Sequence, residues 1–289
     1  MLERMSAEPI ERPPQMLTTA PATLEGWAQL FDPAQLPVLG RTAFEVEDWR
    51  LNEDQADAHL LSEFVSRDPL MTLKLFHHLA KMRPGREDSI PETVTGCLLM
   101  LGIPPFFFQF TELATVEEHL ESHPTAMQGL MDVLERSRRA ADFALGFAVH
   151  RMDHDAQLIY SATLLHDVAE MLLWLKAPAL AAEIARRQAA DPQLRSVDAQ
   201  RIVLHVSLPQ LQKDLMARWH LPAALTALID SNTAGTSAQA RNVELATRLA
   251  RHTQVSWENP AIPDDIRDIA DFLQIGLEPA RHLVTEIDS

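Results

Sequence analysis

The chain has 289 residues, 46% hydrophobic and 23% charged, a balance that sustains a buried core, excludes wholesale disorder and suits two packed lobes. Its 41 acidic side chains against 25 basic ones give a formal net charge of −16, which repels phosphate backbones and anionic headgroups. Nucleic acid and membrane surfaces are therefore not expected partners.

Residues 1–23 are rich in Pro, Thr and charge and lack apolar periodicity, so they read as a flexible arm. Around Glu3, Arg4, Pro13 and Pro14 there is no apolar stretch of signal-peptide or membrane-span length, and a cytoplasmic chain is expected. Order is expected from Leu24. Leu36-Pro37-Val38-Leu39 introduces one helical pattern and Asn52-Glu53-Asp54 another, with Ala58, Leu61, Phe64 and Val65 at helical spacing. Asp68 and Pro69 form a helix start, because an aspartate cap accepts a free amide and proline has none to leave unpaired. Arg83-Pro84-Gly85 predicts a turn, and Ser89-Ile90-Pro91-Glu92 a second helix start leading into Val94, Leu98, Leu99 and Leu101. The single cysteine, Cys97, reads as a small core residue, so no disulfide framework is expected.

Gly102-Ile103-Pro104-Pro105 ends that helix, and the densest aromatic cluster follows: Phe106, Phe107, Phe108 and Phe110. The cluster reads as core or lobe interface. Consecutive residues step about 100° around a helix, so Phe106, Phe107 and Phe108 cannot all face one interior. At least one is expected to point into the lobe junction or out to a partner. Pro124 opens a long helix to about Arg151, and Asp155 opens one that runs past Leu173. Further helices are predicted for Pro178 to Ala190, Val197 to Trp219, Pro222 to Ile229, Val243 to His252, Pro263 to Leu273 and Glu278 to Ile287. There is no sustained period-two run, no internal repeat and no Gly-rich phosphate loop, and glycines number only 9, so an all-α chain is expected.

One constellation invites chemistry: His166-Asp167, set in the apolar run Leu164-Leu165-His166-Asp167-Val168 and expected to be embedded in a helix. Two readings stand. The pair ligates a divalent metal, or it is a hydrogen-bonded pair tying the helix to its neighbours. His77 and His78 are adjacent and so diverge on a helix, and His150 and His154 straddle an expected helix end. Neither is read as a metal site. Arg136, Arg138 and Arg139 form a basic spot, read as a solvated face or as a contact for an anion or partner.

The run AQLIYSATLLHDVAEMLLW is similar to the signature helix of the HD superfamily. The whole arrangement resembles an HDOD domain, the HD-related output domain of bacterial signalling proteins. LPVLGRTAFEV resembles that family's opening segment, SRDPLMTLKLFHHLA and SIPETVTGCLLMLGI its next two helices, and HVSLPQLQKDLMARWHLPAALTALI a later stretch, so the likeness covers about residues 34–255. The resemblance implies an all-α, multi-helix fold. Its parts would be the arm at 1–23, an N-terminal helical lobe over 24–120, a degenerate HD lobe over 121–255 and a helical extension over 256–289.

In catalytic HD phosphohydrolases, the resemblance implies, a metal is held by an early His, the His-Asp dyad, later His residues and a final Asp. Here Arg136 stands at the early His, Asn232 near the later His pair and Thr247 at the final Asp, and Ala169-Glu170 replaces the glycine-lysine that often follows the dyad. His205 matches a family His but cannot complete a site alone. A fixed cation at a ligand position repels a metal. The expectation is a module without catalytic residues, metal or other cofactor. It would act through protein contacts with a sensor kinase, response regulator or cyclic-dinucleotide enzyme, using the cleft between the aromatic segment and the dyad helix. The alternatives are a metal-dependent phosphohydrolase on a nucleotide or cyclic dinucleotide, and a nucleotide-binding sensor without turnover.

Overall fold

Trp27 fixes where the chain begins to pack. The computed structural model describes residues 16–83, 85, 90–191, 193–230 and 237–289; Glu3, Arg4, Pro13, Pro14, Pro84, Ser89 and Asn232, named above, lie outside them, as does the arm expected over 1–15. Helix α1 (Leu24–Ala28) buries Trp27 completely, and the indole Nε1 donates to the Leu204 carbonyl at 2.9 Å. Glu25 pairs with Arg218, and the Leu17 amide donates to the Lys176 carbonyl at 2.8 Å. Residues 16–23 are thus docked and not part of a loose arm, and α1 sits on the C-terminal lobe, not the N-terminal lobe expected for it. The reason is burial: Met16, Leu17, Ala20 and Trp27 gain an apolar surface that only the distant chain supplies.

The N-terminal lobe comprises α2 (Gly40–Leu51), α3 (Ala58–Val65), α4 (Pro69–Met82), α5 (Val94–Leu101), α6 (Ile103–Gln109) and α7 (Val116–His119). Asp68 caps α4 as expected: its Oδ1 accepts from the Leu70 and Met71 amides at 2.9 and 3.1 Å. Its Oδ2 accepts from the Leu39 amide at 2.9 Å, so one buried carboxylate joins the starts of α2 and α4. Helix α5 starts at Thr93, which caps the Gly96 amide at 3.1 Å, and not at the earlier Ser-Ile-Pro signal. Two backbone hydrogen bonds between Val38 and the 114–116 segment close this lobe as an isolated parallel bridge. Among the described residues there is no strand; the fold is all-α, 71% helical.

The C-terminal lobe is built on α8 (Pro124–His150), whose face of Val133, Leu134, Ala140, Phe143, Ala144 and Phe147 is buried. Around it pack α9 (Ala156–Leu164), α10 (Val168–Lys176), α11 (Pro178–Ala190), α12 (Ser196–Leu204), α13 (Leu208–Arg218), α14 (Ala223–Ile229) and α15 (Ala238–His252). Gly129 is required on α8, because a Cβ there would lie 2.5 Å from the Trp174 ring. The helix expected from Asp155 past Leu173 is in fact two, broken at residues 165–167. The one expected from Val197 to Trp219 is also two. His205 adopts a left-handed φ of 65°, and Ser207 with Pro209 starts α13 afresh. Helices α16 (Ile262–Leu273) and α17 (Leu277–Ile287) form the C-terminal extension, which returns to α15 and α8. There Asp288 receives both Arg139 Nε and Nη2 at 2.7 Å and Trp257 Nε1 at 3.0 Å. The segment Ala156–Lys176 is apolar and long enough to cross a membrane by composition alone, but 78% of its most apolar window is buried inside the fold, where it forms core.

Candidate functional site

His166 and Asp167 occupy a turn between α9 and α10, not the helix interior expected for them. A break in a buried helix strands backbone groups, which must find partners or cost free energy. Gln212 of α13 supplies both partners, its Nε2 donating to the Leu165 carbonyl at 2.6 Å and its Oε1 accepting from the Ala169 amide at 2.7 Å. The turn is thereby held open toward α8. His166 Nδ1 lies 2.8 Å from Asp167 Oδ1, which leaves Oδ2 to face inward.

Into that space reaches Arg136, from the inner face of α8. Its Nε and Nη2 donate to Asp167 Oδ2 at 3.0 and 2.8 Å, Nη2 also donates to Glu170 Oε2 at 2.7 Å, and Nη1 donates to Gln254 Oε1 at 3.2 Å. Arg251 stands 4.0 Å from Asp167 Oδ1 on the outer side. Burial alone would raise the Asp167 carboxyl, but Arg136, the bond to His166 and Arg251 together hold it well below the usual carboxylate range. Glu170 is raised, first by burial and then by the charge of Asp167, although Arg136 opposes the shift. The Arg136 guanidinium is itself raised above its ordinary value: burial works against the charge, and the two carboxylates outweigh it.

Arg136 and Asp167 thus meet directly, whereas Thr247 does not join them. The Thr247 hydroxyl turns back onto its own helix, donating to the Val243 carbonyl at 2.8 Å. His205 is also elsewhere, with Nδ1 near the Pro21 carbonyl at 3.3 Å. Glu170, Gln212, Arg251 and Gln254 were not singled out as partners from sequence. Only Glu170 carried a signal, since an acid three residues after Asp167 lies on the same helical face and replaces a lysine just where an arginine replaces a histidine. The residues present do not fit an HD metal. Asp167 has one oxygen on His166 and the other on a guanidinium, and among the described residues no group of three or more His, Cys, Asp or Glu is placed to share an ion.

Of the basic spot at Arg136, Arg138 and Arg139, Arg136 is buried, and the other two pair with carboxylates as the solvated-face reading has it. Arg138 pairs with Glu135 and Asp142 at 2.7 and 2.9 Å, and Arg139 with Asp288, so each guanidinium has its own carboxylate. A cavity in the N-terminal lobe, against α4, takes in Phe110 of the aromatic segment but no dyad residue, and so is not the cleft expected between the two. Of the three consecutive phenylalanines, Phe106 and Phe107 are buried and Phe108 is 87% exposed.

An HDOD domain family model matches residues 36–234 of this chain. The chain belongs to the HDOD family. The match takes in the dyad and Arg136 but stops before Thr247. No curated protein matches the sequence. Among solved structures, the HDOD chain is similar to the MmoQ response regulator from Methylococcus capsulatus str. Bath, at 17% identity and TM-score 0.65, over 86% of this chain and 97% of that one. It is also similar to a virulence factor (cj0248) from Campylobacter jejuni subsp. jejuni, at 15% identity and TM-score 0.66, over 87% of each chain. At such identities the likeness speaks for a shared fold alone.

Proposed function

We propose that this HDOD protein is a regulatory module without hydrolytic activity, which works by protein contacts. The observation that carries this reading is the seat of Arg136, a permanent cation hydrogen-bonded to Asp167 and Glu170 at 2.7–3.0 Å, which takes up the Asp167 oxygen that a metal would need. A guanidinium cannot deprotonate in a protein, so the seat does not open with pH. The name of the MmoQ neighbour, a response regulator, supports a place in signalling, and Phe108 is the exposed aromatic suited to anchor a partner.

The test is hydrolysis of bis(p-nitrophenyl) phosphate with added manganese, iron or zinc, run beside His166→Ala. The expected result is no turnover above the variant. Metal-dependent turnover that His166→Ala abolishes would replace this reading with that of a phosphohydrolase.

A further inference from the structure

The C-terminal part of α4 carries Lys74, His77, His78 and Lys81, at spacings that place all four on one helical face. In a chain of net charge −16, this face lines a cavity of about 540 Å³, within the range of small-molecule sites. The opposite walls come from the Ala34–Leu36 segment and from residues 109–114, including the Phe110 ring and one acid, Glu112.

The polar atoms here are incompletely used. Lys74 is buried, and its Nζ donates to the Ala34 and Leu36 carbonyls at 2.8 and 2.7 Å, which leaves the third of its three N–H donors. His77 is 9% exposed; its ring hydrogen-bonds to the Trp219 backbone and Asp32 stands 3.9 Å from Nε2, but Nδ1 is buried without a hydrogen-bond partner. Lys81 is exposed at the mouth. His78 packs edge-on to Phe110, 5.6 Å between centroids, and the largely buried Phe110 ring makes that wall apolar. Glu112 at the rim holds a left-handed φ of 51°, a conformation that a non-glycine residue keeps only when its surroundings impose it.

We infer that this cavity is a binding site for a small organic anion, its phosphate or carboxylate head held by Lys74, His77 and Lys81 and its flat apolar body laid against Phe110. Burial pushes Lys74 down to about 8 and lowers both histidines, while Asp32 and Asp68 favour the charged form of Lys74 and Asp32 that of His77, so an anion bound here would add to that support. The site shares no residue with the dyad and does not depend on how Arg136 is read.

Isothermal titration of the full chain with phenyl phosphate, benzoate and inorganic phosphate tests this. The expected result is saturable binding of phenyl phosphate or benzoate with Kd on the order of 1 mM, the tighter of the two identifying the head group. Lys81→Gln, at an exposed position, should weaken it about three- to fivefold, while Arg267→Gln, remote and equally basic, leaves it unchanged. Binding should also move the His77 and His78 ring resonances. No saturable binding of either aromatic probe, or binding indifferent to Lys81→Gln, overturns the inference; inorganic phosphate binding as tightly as phenyl phosphate overturns its apolar half.

Discussion

Replacing Arg136 by methionine keeps the volume of the side chain's stem and removes its charge, leaving Asp167 and Glu170, neighbours at the start of α10, without the cation from α8. Four hydrogen bonds disappear: two to Asp167, one to Glu170 and one to Gln254. Removing one partner of a buried pair typically costs about 3–5 kcal/mol, because the other charge stays behind unpaired. Asp167 is 14% exposed and bears the full effect, whereas Glu170 keeps 34% of its side chain in solvent, which offsets part of its share. The lower half of the range, ~3 kcal/mol, is therefore expected, or roughly 6–12 °C in Tm for a chain of this size. The acid side moves too. The depressed Asp167 carboxyl contributes stability that is present above the ordinary carboxylate range and lost as pH falls through its folded value. Without Arg136 the Asp167 contribution is smaller and protonation relieves the unpaired charge, so the stability gap between wild type and variant narrows as pH falls. Circular dichroism melts at neutral pH and an acid titration measure both effects, and Arg136→Met combined with Asp167→Asn and Glu170→Gln should recover most of the loss. A single variant that melts within a degree of the wild type would refute the reasoning, since Arg136 would then not be compensating buried charge.

Three further outcomes are expected. Gln212→Ala strands the Leu165 carbonyl and the Ala169 amide and should cost about 2–4 kcal/mol in urea unfolding; a loss under 1 kcal/mol means that water replaces the side chain. Lys74, pushed down to about 8 from 10.5, is protonated more readily in the unfolded chain, so it adds stability as pH rises through that window and subtracts below it. Wild type should therefore gain on Lys74→Met by on the order of 3 kcal/mol across that interval, and parallel stability curves would contradict this. Phe108→Ala, at an 87% exposed position, should leave Tm unchanged while weakening capture of a partner; a Tm loss of several degrees would make Phe108 a structural residue.

Helix starts were legible wherever the signal was local. Asp68-Pro69 begins α4 because the cap and the proline sit beside the amides they serve. The break at residues 165–167 was not legible, because Leu164, Leu165, Val168, Met171 and Leu172 keep a helical apolar spacing straight across it, and the side chain that makes it tolerable, Gln212, is 47 residues from Leu165. Distance also hid the docking of Trp27 onto Leu204 and the capture of Arg139 by Asp288, 149 residues away. In the site, Arg136 was recognisable as a cation in a ligand's position, but its second carboxylate, Glu170, shows its meaning only when both are read together as an exchange of charges around Asp167.

If Arg136 holds the place that a metal would take, the wild-type protein retains no metal, and its metal content shows this. The protein is purified without chelator, incubated with excess manganese, iron and zinc in turn, desalted and analysed for elements. The account predicts well under one equivalent of any of the three. One or two equivalents retained by the wild type and lost in Asp167→Ala would contradict it.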